Sequence, residues 1–194
     1  MIDLKKWQTI SLKKESNSKI QFWVNWGQIK GGNGWFLWSL FGSDETVDLD
    51  ASVVLLDKNK DVIETVSFQN LRTAGVSHSW DDTTGDSSQD DNDNEIITVE
   101  TKDLDKEVES LVFFINSYKH QDFKDIPYAH IRMKSNDNVI AKYNIWNNPE
   151  FAGSIAMILW KFDRNGWEWN FTALWKPTQD WSINSCINTI KETI

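Results

Sequence analysis

From Ile155 to Trp175 two β-patterned segments flank D-R-N-G, and Asn165-Gly166 is the residue pair that a type I′ hairpin turn demands. Beyond the turn Trp167, Trp169, Phe171, Ala173 and Trp175 share one face, while Glu168, Asn170 and Thr172 take the other. Alternation with aromatics on one side only describes a strand with one buried face and one wet face. A hairpin of that kind is not stable alone, so the rest of the chain must cover its aromatic side.

The covering strands are legible in order. Trp7–Leu12 and Ile20–Trp26 flank a polar break. Val47–Leu56 alternates at first and then turns apolar on both faces, as a strand entering a covered core does. Val62–Phe68 returns as its hairpin partner after D-K-N-K-D, and Gln69–His78 reads as an irregular approach. Ile96–Val99 and Leu111–Ile115 follow, with a helical turn over Asp103–Glu109 suggested by Leu104 and Val108. Tyr128–Met133 and Val139–Tyr143 are joined by S-N-D-N.

After Pro177, Ile183, Ile187, Ile190 and Ile194 recur at helical spacing and predict a short amphipathic helix. About nine to eleven short strands with little helix point to an all-β antiparallel sandwich. The expected organisation is one sandwich domain over 1–177 with a helical extension over 178–194 packed on it.

Between Trp80 and Glu95 the chain carries seven acidic residues and no basic one. Crowded carboxylates raise one another's pKa and repel unless solvent or a cation neutralises them. The stretch reads either as a solvated acidic loop or as part of a hard-cation site. Asp48 and Asp50 lie two apart on one strand and project from the same face, so a second segment of ligands is at hand. The loop spacing is not that of an EF-hand, and oxygen-only ligands favour calcium over zinc.

Composition excludes several function classes. The net charge is −9, and without the seven loop carboxylates it would be −2, which leaves no basic stripe for nucleic acid or for anionic lipid. No apolar run is long enough to span a membrane. The single cysteine, Cys186, fits a reducing compartment, and the N-terminus lacks an apolar signal region, so a cytoplasmic location is expected. G-G-N-G near Gly34 lacks the G-K-[ST] of a phosphate loop. His78, His120 and His130 show no metal-ligand spacing, and no nucleophile–base pattern is present, so no catalytic residue is expected.

Several ordered motifs resemble the TerD-type tellurium-resistance and stress-response family. Its D-L-D-A-S signature stands at Asp48–Ser52. Its acidic loop is similar to His78–Asp86 and, after an insertion, Asp91–Glu95. N-S-Y-x-x-Q-x-F stands at Asn116–Phe123, A-x-x-R at Ala129 and Arg132, and G-x-W-x-F-x-A at Gly166–Ala173. The likeness covers about residues 3–175. Trp80 stands for a family glycine, Asp82 for an asparagine and Asn94 for an aspartate, and the glycines of the second half of the loop are missing.

The resemblance implies a calcium-binding β-sandwich holding one or two ions between the D-x-D strand and the loop. Asp48, Asp50, Asp81, Asp91, Asp93 and Glu95 are the retained oxygen ligands, with Asp82 and Asn116 as further candidates. It also implies a non-catalytic binding or scaffold protein of the stress response, with tellurite, toxic-agent or phage tolerance as the context. Protein partners would be other family members or a membrane-associated complex, placing the protein in the cytoplasm or peripherally at the inner membrane surface. Asp86–Asp90 falls in the insertion and is expected to be a mobile solvated bulge. The alternative function is a carbohydrate- or protein-binding sandwich with a structural calcium, its platform drawn from Trp23, Trp26, Trp35 and Trp38.

Overall fold

Aromatic side chains from two facing sheets meet at the centre of this protein. The Phe22 ring lies 5.3 Å from Phe113 and 5.5 Å from Trp160, the latter edge-on at 89°. Phe162 and Phe171 extend the cluster at 4.9 Å. Edge and tilted contacts of this kind contribute beyond the area they bury. A computed structural model describes residues 6–11, 19–29, 46–87, 93–136, 138–145, 149–166 and 168–194.

The described residues form strands β1 (Thr9–Ser11), β2 (Lys19–Trp26), β3 (Leu49–Leu56), β4 (Val62–Val66), β5 (Arg72–Thr73) and β6 (Val76–His78). They continue through β7 (Glu95–Glu100), β8 (Ser110–Ser117), β9 (Ala129–Ser135), β10 (Asn138–Asn144), β11 (Ala156–Asn165) and β12 (Glu168–Thr178) to helix α1 (Ile183–Thr193). One six-stranded sheet runs β1-β12-β11-β8-β3-β4 and the other β10-β9-β2-β7-β6-β5. All the paired strands are antiparallel. The all-β antiparallel sandwich read from the sequence is the fold.

The C-terminal helix is present as expected. Ser182 caps it by accepting from the Ser185 N–H, and the Ser185 hydroxyl accepts in return from the Ser182 N–H. Cys186 and Ile190 pack onto Val54, Leu56, Val112, Phe114 and Ile158 on the outer face of the first sheet. That face carries two layers of function: apolar residues under the helix, and Asp50 further along the same side of β3.

Three details differ from the sequence reading. The segment 69–78, read as irregular, contains β5 and β6, because even two or three residues suffice to extend a sheet edge. The helical turn expected over Asp103–Glu109 is a 3₁₀ turn at Thr101–Asp103, although Leu104 and Val108 are buried as their spacing required. The hairpin turns one residue later than expected. Asn165 pairs with Glu168, so Gly166 at φ 63° takes the first central position.

The aromatic alternation of β12 holds for Trp169, Phe171 and Ala173, all buried, while Trp167 lies outside the described residues. A bulge then breaks it. Two residues, Leu174 and Trp175, stand where β11 supplies one, with Trp175 at φ 45°. Leu174 goes to the layer under the helix, and Trp175 stacks on Tyr143 with ring centres 4.6 Å apart.

Candidate metal centre

The site forms where β3 loses its strand partner. β4 pairs with β3 only from Val53 onward, so among the described residues no strand pairs with the other edge of Leu49–Ser52. Side chains take the strand's place. Glu95 Oε2 accepts the Ala51 N–H at 2.7 Å, and His78 Nε2 lies 3.2 Å from the Ala51 carbonyl and 3.4 Å from Glu95 Oε2. Both side chains are buried. Buried backbone groups must be paired, and here a carboxylate and an imidazole from the second sheet do it.

Asp48, Asp50 and Asp81 each offer an oxygen, and the three lie within 4.8 Å of one another. Asp48 and Asp50 are buried, whereas Asp81 is exposed on the loop. Asp50 Oδ2 accepts from Asn116 Nδ2 at 2.9 Å, across a β3–β8 register that pairs those two residues. Asn116 Oδ1 and Asp48 Oδ1 are buried without hydrogen-bond partners. Such orphaned acceptors cost about 1–3 kcal/mol each unless a cation or donor meets them.

Electrostatics carry the same message. Burial pushes the Asp50 carboxyl up to about 8, helped by Glu95, Asp48 and Asp81 and only partly offset by Asn116. Asp48 is raised by burial and by Asp81 and Asp82, against a partial pull from Lys119. Glu95 is raised by burial despite its bonds from His78, Ala51 and Asp82. The donor set is all oxygen and starved of positive charge, which suits a hard divalent cation.

The remaining expected ligands fall elsewhere. Asp82 is not in the cluster; its Oδ1 accepts from the Thr84 amide and hydroxyl and from the Gly85 amide, and its Oδ2 from Asn94 Nδ2. Burial raises its pKa, but those bonds together hold it below the ordinary carboxylate range. Asp93 forms an ion pair with Arg132. Glu95 bridges Ala51 and the Asp82 N–H. Asp91 lies outside the described residues.

One residue of the expected bulge is fixed. Asp86 N–H donates to the Trp26 carbonyl, and the Asp86 carbonyl accepts from Gln28 N. Its carboxylate takes Nδ2 of Asn25 at 2.7 Å and of Asn94 at 3.1 Å. Sequence reasoning missed Asn25 and Asn94 because amides this far apart in the chain give no spacing signal. The Gly85 before it is the readable clue: its φ is 69°, and a Cβ there would sit 2.7 Å from the Trp26 ring.

Two of the four tryptophans of the expected platform are engaged within the protein. Trp26 is fully buried with its indole N–H on the Val47 carbonyl, and the Trp23 ring is covered by the Lys134 ammonium at 3.4 Å. Trp35 and Trp38 lie outside the described residues.

A profile of the TerD domain matches residues 1–181. This chain belongs to the TerD family. It is 35% identical over 179 residues to the tellurium resistance protein TerZ of Serratia marcescens, covering 90% of this chain and 89% of that one. It is 34% identical over 199 residues to stress response protein SCP2 of Bacillus subtilis (strain 168), covering 96% and 98%. A crystal structure of a TerD homologue, SCO6318 of Streptomyces coelicolor A3(2), superposes with TM-score 0.66 at 14% identity over 84% of this chain and 92% of that one. The protein of unknown function SAV2460 gives 0.69 at 18% identity over 88% and 95%.

The family motifs of this TerD protein have local structural reasons. Asn116 holds Asp50, Ser117 Oγ accepts the Gln121 N–H, Gln121 Nε2 donates to the Thr46 carbonyl, and Phe123 is buried. N-S-Y-x-x-Q-x-F is thus a clamp that fixes the chain just before Asp48. Among the described residues no helix is long and apolar enough to cross a membrane.

Proposed function

We propose that this TerD protein is a non-catalytic, calcium-binding stress-response protein that acts as a binding or scaffold module. The observation that carries the proposal is the Asp48–Asp50–Asp81 cluster with two buried, unpartnered oxygens beside it. Calcium takes roughly six to eight oxygen ligands and tolerates irregular geometry, which a site assembled from a strand end and a loop requires. Asp48, Asp50, Asp81 and Asn116 Oδ1 would hold one ion. The ion would supply the missing positive charge and tie the acidic loop to the first sheet. A second ion at Asp82 and Asp86 would have to displace the amide bonds of Asn25 and Asn94, so one ion is the favoured count.

A scaffold reading is supported by the setting of the single cysteine. Cys186 is fully buried under the helix, and burial followed by Asp180 pushes its thiol well above the usual range. The names of the relatives, tellurium resistance and stress response, support the physiological context, with protein partners in the cytoplasm or at the inner membrane surface. The test is thermal unfolding and partner capture with calcium and with chelator. A higher unfolding temperature and stronger capture with calcium support the proposal. Identical behaviour in both conditions removes it.

A further inference from the structure

Next to the carboxylate cluster, on the side facing the start of α1, lies a cavity of about 380 Å³. Asp50 and Asn116 line it together with Phe68, Tyr118, His120 and Trp181. The rings of Phe68 and Tyr118 meet at 86° with centres 5.7 Å apart, forming two perpendicular walls. Tyr118 is 57% exposed and Trp181 66%, an unusual amount of aromatic surface left to solvent at one place. Asn116 brings its unpartnered buried Oδ1 to the same site.

Among the described residues the lining is polar and aromatic, with Asp50 as its carboxylate and no lysine or arginine. Lys119, next in sequence to Tyr118, turns its ammonium to the Thr46 and Thr83 carbonyls instead. Among the described lining side chains His120 is the only basic one. An anion or a neutral apolar ligand would waste the carboxylate and the free carbonyl oxygen. A cation carried on an alkyl chain uses every part of the wall: ring faces attract its charge, Asp50 neutralises it, and Asn116 Oδ1 accepts an N–H.

We propose that this cavity binds a protonated alkylamine, carried either by a free amine or by the lysine side chain of a peptide. The ammonium sits in the right-angled corner of Phe68 and Tyr118 with Trp181 closing the alkyl chain from outside. The site goes beyond the calcium reading but shares Asp50 and Asn116 with it: in chelator both groups meet the ammonium, and with calcium on Asn116 Oδ1 the rings and the remaining negative charge hold the amine more weakly. With one divalent ion bound, the four carboxylates Asp48, Asp50, Asp81 and Glu95 still leave the corner net negative.

The experiment titrates n-butylammonium, N-acetyl-lysine methylamide, tetramethylammonium and the neutral n-pentanol into the full-length protein, following the binding heat and the side-chain amide resonances of Asn116, which lines the cavity and is retained in every variant. Each titration is run with calcium and with chelator. Saturable shifts are expected for the two N–H-bearing amines, weaker ones for tetramethylammonium, and none for pentanol. Tighter binding of the lysine derivative than of butylammonium assigns the site to peptide lysine, and the reverse assigns it to free amines. Trp181→Ala and Tyr118→Ala, at exposed positions that the fold tolerates, are expected to weaken amine binding at least tenfold while the calcium-induced rise in unfolding temperature persists.

Pentanol binding as well as the amines, or amine binding undiminished in both variants, overturns the inference. So does the lack of any saturable amine shift in a protein that responds to calcium. A protein that binds the amine but ignores calcium loses only the calcium reading.

Discussion

Asn116 donates its amide N–H to Asp50 Oδ2 at 2.9 Å, and the same carboxamide keeps its Oδ1 buried without a partner. One end of the side chain holds a carboxylate of the Asp48–Asp50–Asp81 cluster in place, and the other end is a buried acceptor. Replacing Asn116 by Ala removes both. Calcium affinity should fall about tenfold, equivalent to about 1.4 kcal/mol. Calorimetry on wild type and Asn116→Ala checks it, and unchanged affinity would take Asn116 out of the ligand set.

Stability in chelator should fall as pH rises. Asp50 is raised from 3.8 to about 8 in the folded protein, so the folded state holds its proton more tightly than the unfolded chain. Its contribution is fully present below the unfolded value of 3.8 and is lost as pH climbs through about 8. Asp48 and Glu95 add in the same direction, while Asp82, held low, loses its contribution only at the acid end. A bound ion replaces the proton. The calcium-induced rise in unfolding temperature should therefore grow between about pH 5 and about pH 8. A pH-independent rise would show that Asp50 is not a ligand.

Glu95 should matter more to folding than to metal. Glu95→Ala leaves the Ala51 N–H without its 2.7 Å partner at a strand edge that no other described strand pairs with. A loss of about 2–4 kcal/mol in urea unfolding is expected from the orphaned amide and the space left behind. Glu95→Gln retains an acceptor and relieves repulsion on Asp50, so it should be far milder.

Gly85 is constrained twice, by a φ of 69° and by the Trp26 ring 2.7 Å from where a Cβ would be. Gly85→Ala should cost about 2–4 kcal/mol and shift the fluorescence of the buried Trp26. It should also weaken calcium binding, because Gly85 follows Asp81 closely on the loop that brings that ligand in.

Cys186 is packed between the helix and the first sheet, and its thiol stays protonated there. It should react with a thiol reagent only as fast as the protein unfolds. Cys186→Ser should leave any tellurite-tolerance phenotype intact. A phenotype lost without loss of folded protein would give Cys186 a redox role.

Much of the fold was legible because alternation and turn residues are local signals. β12 could be read from Trp169, Phe171 and Ala173, and α1 from the spacing of its isoleucines. The bulge at Leu174 and Trp175 could not, since an added residue is recognised only against the partner strand. The same holds at the site. Asp48 and Asp50 announced themselves by spacing, and Asp81 by its place in the acidic run. That Asp82 turns inward to cap its own loop and Asp93 meets Arg132 depends on tertiary contacts invisible in one dimension. The Asp86 anchor depends likewise on Asn25, which belongs to a strand 61 residues away.

Calorimetric titration of calcium into the wild type and into Asp48→Asn/Asp50→Asn decides whether the acidic cluster is a metal centre. The wild type should bind one ion saturably. The double variant should show no binding heat, and in chelator it should be more stable than the wild type by on the order of 1–3 kcal/mol, because its buried charges are gone. A wild type without saturable binding at calcium concentrations on the order of millimolar, or a double variant that binds as tightly, would contradict the assignment of Asp48 and Asp50 as ligands.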